Sequence, residues 1–299
     1  MNRWLQAFRL RTLPVALAPA LTGIALALLT SEFHLVTAAL TVLTIVLLQV
    51  LSNLANDYGD FSSGVDDETR VGPERAMQAG LITAREMKFA IFLFILFSVI
   101  SGLSLLYSAW GRVDQQIIFF LAALGILGVL AAIFYTMGSK PYGYSGLGDL
   151  AVFLFFGFIG VLGTLLLQVG TITPYSWAPA AALGLFVTAV LNINNLRDEN
   201  SDRAKKKNTL VVKIGGLMAK KYHLALHVVA FSLLFSYAFF SERAWLYLPM
   251  VLLLFYAPLL KSVYKQDDPK LLDPFLKKHA IGSFLFSLLF LAGALLEQQ

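Results

Sequence analysis

Asn56, Asp57 and Asp60, followed by Asp66, Asp67 and Glu68, close an almost uninterrupted apolar run from Leu35 to Leu51, with Asn53 just ahead of them. If the helix continues past that run, Asn53, Asn56, Asp57 and Asp60 fall at i, i+3, i+4 and i+7, which is one face. Four oxygen-bearing side chains then point the same way. A second stretch repeats the chemistry: after the apolar run from Ala178 to Leu191 come Asn194, Asn195, Arg197, Asp198, Glu199 and Asp202. Asn194, Asp198 and Asp202 are spaced at i, i+4 and i+8, again one helical face. Repulsion among the carboxylates of each group asks for a cation.

The chain has no cysteine, which excludes thiolate catalysis and zinc–thiolate sites. With oxygen ligands only, Mg²⁺ is the natural ion, and Mg²⁺ held by one or two carboxylates usually shares its shell with substrate phosphates. Basic residues lie near both groups in sequence: Arg70 and Arg75 after the first, Arg197 within the second, Lys205 to Lys207 after it, and Lys140 between. Carboxylates, metal and Arg/Lys together make a diphosphate clamp. An interior of Phe, Tyr and Leu beyond the clamp suits a long lipid chain, so the pattern fits a prenyl diphosphate. Its leaving group would be stabilised, aromatic faces would favour the allylic cation, and a dry cavity would keep water from it. His34, His223, His227 and His279 stand at helix ends or on apolar faces and are read as structural.

These groups have to be placed by membrane helices. Of 299 residues, 58% are hydrophobic and 14% charged, and the mean hydropathy is +0.73. The apolar residues gather into runs long enough to cross a hydrocarbon core. Segments at 13–30, 35–54, 89–109, 117–136, 148–170, 174–195, 222–241, 244–261 and 279–296 predict an all-α polytopic membrane protein of nine transmembrane helices. The expected arrangement is one domain over 1–299, two four-helix halves plus a ninth helix around a central cavity. Alternating the connections leaves only Arg112 and Arg243 of the 23 Lys and Arg on one side. The other, basic side, with the N-terminus and both Asn/Asp stretches, is therefore expected in the cytoplasm and the C-terminus outside the cell (inner) membrane. The net charge of +5 follows from this bias and does not imply nucleic acid. The first segment lacks a small-residue cleavage site and is read as retained. Thr83 to Glu86 is a capping box opening the third helix.

The residues resemble the UbiA superfamily of membrane prenyltransferases, and within it the menaquinone branch. The superfamily's first motif, Asn-Asp-x-x-Asp-x-x-x-Asp, is seen as Asn56-Asp57-Tyr58-Gly59-Asp60, with Gly64 at the last position and Asp66 as the nearest carboxylate. Its second, Asp-x-x-x-Asp, is Asp198 to Asp202, preceded by Asn194-Asn195-Leu196-Arg197. Downstream the branch reads Gly-Lys-x-Thr-Leu, and here Lys206 replaces the Gly before Lys207-Asn208-Thr209-Leu210. Gly72-Pro73-Glu74-Arg75-Ala76 and the stretch from Tyr135 through Lys140 to Asp149 also agree.

The resemblance implies transfer of a polyprenyl chain from polyprenyl diphosphate to 1,4-dihydroxy-2-naphthoate, with loss of CO₂, giving demethylmenaquinone. It implies a Mg²⁺ cofactor and metal–diphosphate roles for Asp57, Asp60, Asp198 and Asp202, with Asn56 and Asn195, and Asp66 as a further ligand. Arg70, Lys140, Arg197 and Lys207 would bind diphosphate, and Lys140, Arg9 or Arg11 the acceptor's carboxylate. Two other readings are weighed: prenylation of another aromatic acceptor such as 4-hydroxybenzoate or homogentisate, and a divalent-cation transporter. Transport sites tend to lie near the bilayer midplane in broken helices, whereas both clusters here fall at one membrane face.

Overall fold

Chains this apolar must satisfy every backbone N–H and C=O internally, and a helix does so within one segment. The structure, a computed structural model, describes residues 3–64 and 73–299. Among them it has no strand and nine helices long and apolar enough to cross a membrane. These are α1 (Arg3–Leu28), α2 (Leu35–Ser62), α3 (Ala84–Ala109), α4 (Gln115–Phe134), α5 (Gly148–Val169), α6 (Trp177–Ala204), α7 (Gly216–Ser241), α8 (Ala244–Lys265) and α9 (Pro269–Leu296). The protein is a multi-pass membrane protein, as the hydropathy predicts.

Several helices outrun their apolar segments at the basic end. α2 continues to Ser62 and α6 to Ala204, while α3, α7 and α9 start well before their hydrophobic cores. Hydropathy marks only the part of a helix that meets hydrocarbon, and i to i−4 bonding carries the helix onward into polar sequence. That continuation is what places Asn56, Asp57 and Asp60, and the second Asn/Asp stretch, on rigid elements. At the start of α3 the capping box forms: Glu86 N donates to Thr83 Oγ1 at 3.3 Å and Thr83 N to Glu86 Oε2 at 2.9 Å.

α6 is the most buried helix and α4 the least. α6 packs against α5, α7 and α9; α2 packs against α1, α3 and α4; α9 lies along α1. α1 and α9 thus join the half carrying the first stretch to the half carrying the second. Outward-facing Phe89, Phe92, Tyr107, Phe119 and Leu254 are exposed, as lipid-facing side chains should be.

Close approach between helices uses small residues. The stretch Phe153–Leu162 of α5 is wound as a π-helix, and there Gly157 meets Ala180 and Gly184 of α6. Gly59, within the first motif, meets the end of α4. A Cβ added at Gly59 would lie 2.5 Å from Thr136 Oγ1 and 2.7 Å from the Thr136 carbonyl oxygen, and backbone cannot step aside.

Gly59→Ala is therefore expected to lower stability by about 1–3 kcal/mol, seen as a lower midpoint of thermal unfolding in detergent. Gly125→Ala, where a Cβ meets nothing within 4 Å, is expected to leave the midpoint unchanged or raise it.

Candidate active site

The last turns of α2 carry Asp57 and Asp60, which are 1% and 2% exposed. Carboxylates so buried need partners, and the chain from Pro73 onward folds back to supply them. Arg75 Nη1 lies 2.6 Å from Asp60 Oδ2 and 2.6 Å from the Asn56 carbonyl oxygen. Met77 N donates to Asp57 Oδ1 at 3.4 Å. The fold-back is pinned to the N-terminal residues, Gln6 Nε2 donating to Glu74 O at 3.0 Å and Arg3 Nη1 to Leu81 O at 3.3 Å. α1 breaks at Arg9, which has φ 49°, and the Arg9 charge acts on Asp60. Asn53 serves that break and not the carboxylate group: its Nδ2 donates to Phe8 O and Thr12 Oγ1, both at 3.0 Å.

On α6, Arg197 is 4% exposed and fully engaged. Its Nε and Nη2 donate to the two oxygens of Asp198 at 2.8 and 2.7 Å, its Nη2 to Asn194 Oδ1 at 3.0 Å, and its Nη1 to Asp273 Oδ1 at 2.6 Å. This planar fork fixes the Asp198 carboxylate. Asp202 is also 4% exposed. Its Oδ1 stands 3.7 Å from Lys207 Nζ, while its Oδ2 is buried with no hydrogen-bond partner among the described residues. Asn195 is buried, and Asn192, one turn earlier, is fully buried with neither amide atom paired among those residues.

The two groups meet through the loop between α4 and α5. Tyr144 OH donates to Asp60 Oδ1 at 2.5 Å and lies 3.1 Å from Ser63 Oγ. Lys207 Nζ stands 5.2 Å from the centroid of the Tyr144 ring. Asn208 N donates to Tyr144 O at 2.9 Å and Lys213 Nζ to Ser145 O at 2.6 Å. A chain of contacts thus runs from Asp60 through Tyr144 and Lys207 to Asp202, and the Asp60 charge is close enough to act on Asp202. Burial and the Asp60 carboxylate push the Tyr144 phenol up, so its hydroxyl stays a neutral donor. Burial likewise raises Tyr135, and Tyr142 to about 12. Tyr142 donates to Ala131 O at 3.0 Å and meets Tyr135 edge-on at 5.3 Å.

The arrangement offers oxygen donors from two helices, with Lys207 and Arg75 beside them. A hard divalent cation fits such donors, and the buried, unpaired Asp202 Oδ2 is the atom it would satisfy. Lys140 is exposed on the α4–α5 loop and Arg11 is exposed near the α1 break. Asp66 and Arg70 lie outside the described residues. Asp273 escapes the sequence reading because its partner Arg197 is 76 positions away, and no local spacing links them. Tyr222, hydrogen-bonded to the buried Asp149, escapes it for the same reason.

The model of the UbiA prenyltransferase family matches residues 16–289. The chain is 43% identical to a 1,4-dihydroxy-2-naphthoate octaprenyltransferase of Escherichia coli (strain K12) over 99% of this chain and 96% of the relative. It is 41% identical to the protein of the same name from Haemophilus influenzae, with the same coverage of both. In structure it is similar to a UbiA homolog from Archaeoglobus fulgidus bound to GPP and Mg²⁺, at a TM-score of 0.66, 16% identity and 99% coverage of each chain.

Two outcomes follow from the geometry. Arg197→Lys, which replaces a fork by a point charge, is expected to cost about 1–3 kcal/mol, read as a lower thermal midpoint in detergent. Lys206 holds φ 56°, a left-handed conformation that glycine adopts at less cost. Lys206→Gly is therefore expected to raise stability by up to about 1 kcal/mol in the same measurement.

Proposed function

Because the chain belongs to the UbiA prenyltransferase family, we propose that it transfers a polyprenyl chain from polyprenyl diphosphate to 1,4-dihydroxy-2-naphthoate. The observation that carries the reading is the link from Asp60 through Tyr144 and Lys207 to Asp202 at one end of the bundle, with Asp57 and Asp198 about one turn away on the same two helices. Similarity to the naphthoate enzymes over nearly the whole chain supports the choice of acceptor.

In this reading the allylic C–O bond breaks with its electron pair leaving on the diphosphate. The acceptor's ring carbon that bears the carboxylate bonds to the allylic carbon. The ring–carboxylate bond then returns its electrons to the ring and CO₂ departs, giving the prenylated naphthoquinol, which on oxidation is demethylmenaquinone. Asp57, Asp60, Asp198 and Asp202, with Asn56 and Asn195, would hold Mg²⁺, and Asp66 would join them. Bound Mg²⁺ would supply Lewis-acid stabilisation of the diphosphate. Lys207, Lys140 and Arg70 bring positive charge to the diphosphate, and Arg197 acts through the Asp198 carboxylate it orients. Tyr144 keeps Asp60 aimed and closes the gap between the two halves. Arg9, Arg11 and Lys140 are candidates for the acceptor's carboxylate, Arg9 being the one whose charge reaches Asp60.

The charge asymmetry supports a basic face in the cytoplasm, a C-terminus outside and residence in the cell (inner) membrane. Both the diphosphate and the naphthoate would then reach the site from water while the prenyl chain stays in the bilayer.

The test is an assay of purified protein in detergent with a polyprenyl diphosphate, Mg²⁺ and, in parallel, 1,4-dihydroxy-2-naphthoate or 4-hydroxybenzoate, following product and CO₂ by mass. The expected result is decarboxylated, prenylated naphthoquinol with the first acceptor only, lost on adding EDTA. Product with the second alone would move the acceptor assignment. Asp57→Asn and Asp202→Asn are each expected to lower turnover by about 10² or more while the protein stays folded and monodisperse. Full activity in either would remove the metal–diphosphate role.

A further inference from the structure

Against α6 three histidines converge. His223 and His227 stand one turn apart on α7, and His279 projects from α9 to meet them. All three are buried, and one ligand atom from each lies within 4.8 Å of the others. Phe186 of α6 and Tyr256 of α8 pack over the group, with ring centroids 5.6 and 4.7 Å from that of His227.

The hydrogen bonding sets which nitrogens face inward. His227 Nδ1 lies 2.9 Å from the His223 carbonyl oxygen, and His279 Nδ1 lies 2.9 Å from the Phe275 carbonyl oxygen. A carbonyl can only accept, so both Nδ1 atoms carry the proton and both Nε2 atoms present a lone pair. His227 Nε2 is buried with no partner among the described residues. His279 Nε2 lies 3.1 Å from His223 Nε2, which leaves the buried His223 Nδ1 without one as well. Two orphaned ring nitrogens in an apolar interior are costly. Backbone carbonyls orienting the outer nitrogen of two imidazoles are what ligating histidines show.

We propose that His223, His227 and His279 form a binding site for a transition-metal dication of the Zn²⁺ class, separate from the carboxylate site. Nitrogen donors with no carboxylate among them select Zn²⁺ and its neighbours over Mg²⁺. The His-x₃-His spacing on α7 chelates from one face, and His279 closes the set across the helix pair. His223 exchanges its Nε2 proton to Nδ1 on binding, so all three imidazoles enter neutral. His223 also forms part of the wall of a cavity of about 370 Å³, lined further by Lys220, Leu224, Lys261, Tyr264 and Lys265. The site ties α7 to α9, and α9 carries Asp273, the partner of Arg197.

The test is titration of chelator-treated, purified full-length protein with Co²⁺, followed by visible absorption. Low-coordinate Co²⁺ bound by imidazole absorbs far more strongly than octahedral Co²⁺ bound by oxygen. The expected result is one strongly absorbing Co²⁺ per chain, displaced by Zn²⁺ but not by excess Mg²⁺, retained in Asp202→Asn and lost in His227→Gln and His279→Gln. Zn²⁺ should also raise the thermal midpoint of the wild type and leave that of monodisperse His227→Gln unchanged. Should the histidine variants fail to fold, X-ray absorption of the Zn²⁺-loaded wild type decides, imidazole scattering supporting the site and oxygen-only scattering overturning it. A weak, octahedral spectrum alone, or strong bands that vanish in Asp202→Asn and persist in the histidine variants, would overturn it too.

Discussion

The Tyr144 hydroxyl donates to Asp60 while Lys207 stands over the same ring and beside Asp202, and on this contact the two halves of the protein depend at their polar end. Carboxylates of like sign are brought together from α2 and α6 in a place where neither is free to face water. Such a grouping persists only where cations and donors answer each charge. Arg75 and Met77 answer Asp60 and Asp57 from a segment folded back over α2, and Arg197 answers Asp198 while holding Asp273. The buried Asp202 Oδ2 lacks a hydrogen bond from any described residue, and that is the place a bound cation would take.

The membrane sets where this can happen. Charged groups at the centre of the bilayer are expensive, so the carboxylates ride on the turns by which α2 and α6 overrun their apolar segments. Those turns are held in register by close helix contacts: Gly59 within the motif itself against Thr136, and Gly157 against Gly184 deeper in the bundle. Packing by small residues in the apolar region and ion pairing at the polar end are thus two parts of one constraint, since moving either helix by a fraction of an ångström changes both.

Much of this could be read from residues alone. Apolar runs gave the nine helices, and the i, i+3, i+4 and i+7 spacing put Asp57 and Asp60 on one face on the condition that the helix outlast its apolar run, which it does, to Ser62. Local pattern could not reveal partners far apart in sequence. Asn53 shares that spacing yet turns to Phe8 and Thr12, and Arg197 finds Asp273 on another helix. Lys206 shows the converse, a left-handed backbone conformation at a residue whose type does not announce it. The histidines read as structural because each, taken singly, lies on an apolar face. Only the crossing of α7 and α9 brings His223 and His279, 56 positions apart, within 3.1 Å.

That the two carboxylate groups form one site is the central claim, and a double-mutant cycle on binding tests it most directly. Calorimetric titration of a non-reactive prenyl thiodiphosphate with Mg²⁺ would be carried out on the wild type, Asp60→Asn, Asp202→Asn and the double variant, each checked for monodispersity. A shared site predicts that each single change weakens binding and that the double costs less than the sum by about 1 kcal/mol or more. Losses that add within about 0.5 kcal/mol, or wild-type affinity in either single variant, would contradict it.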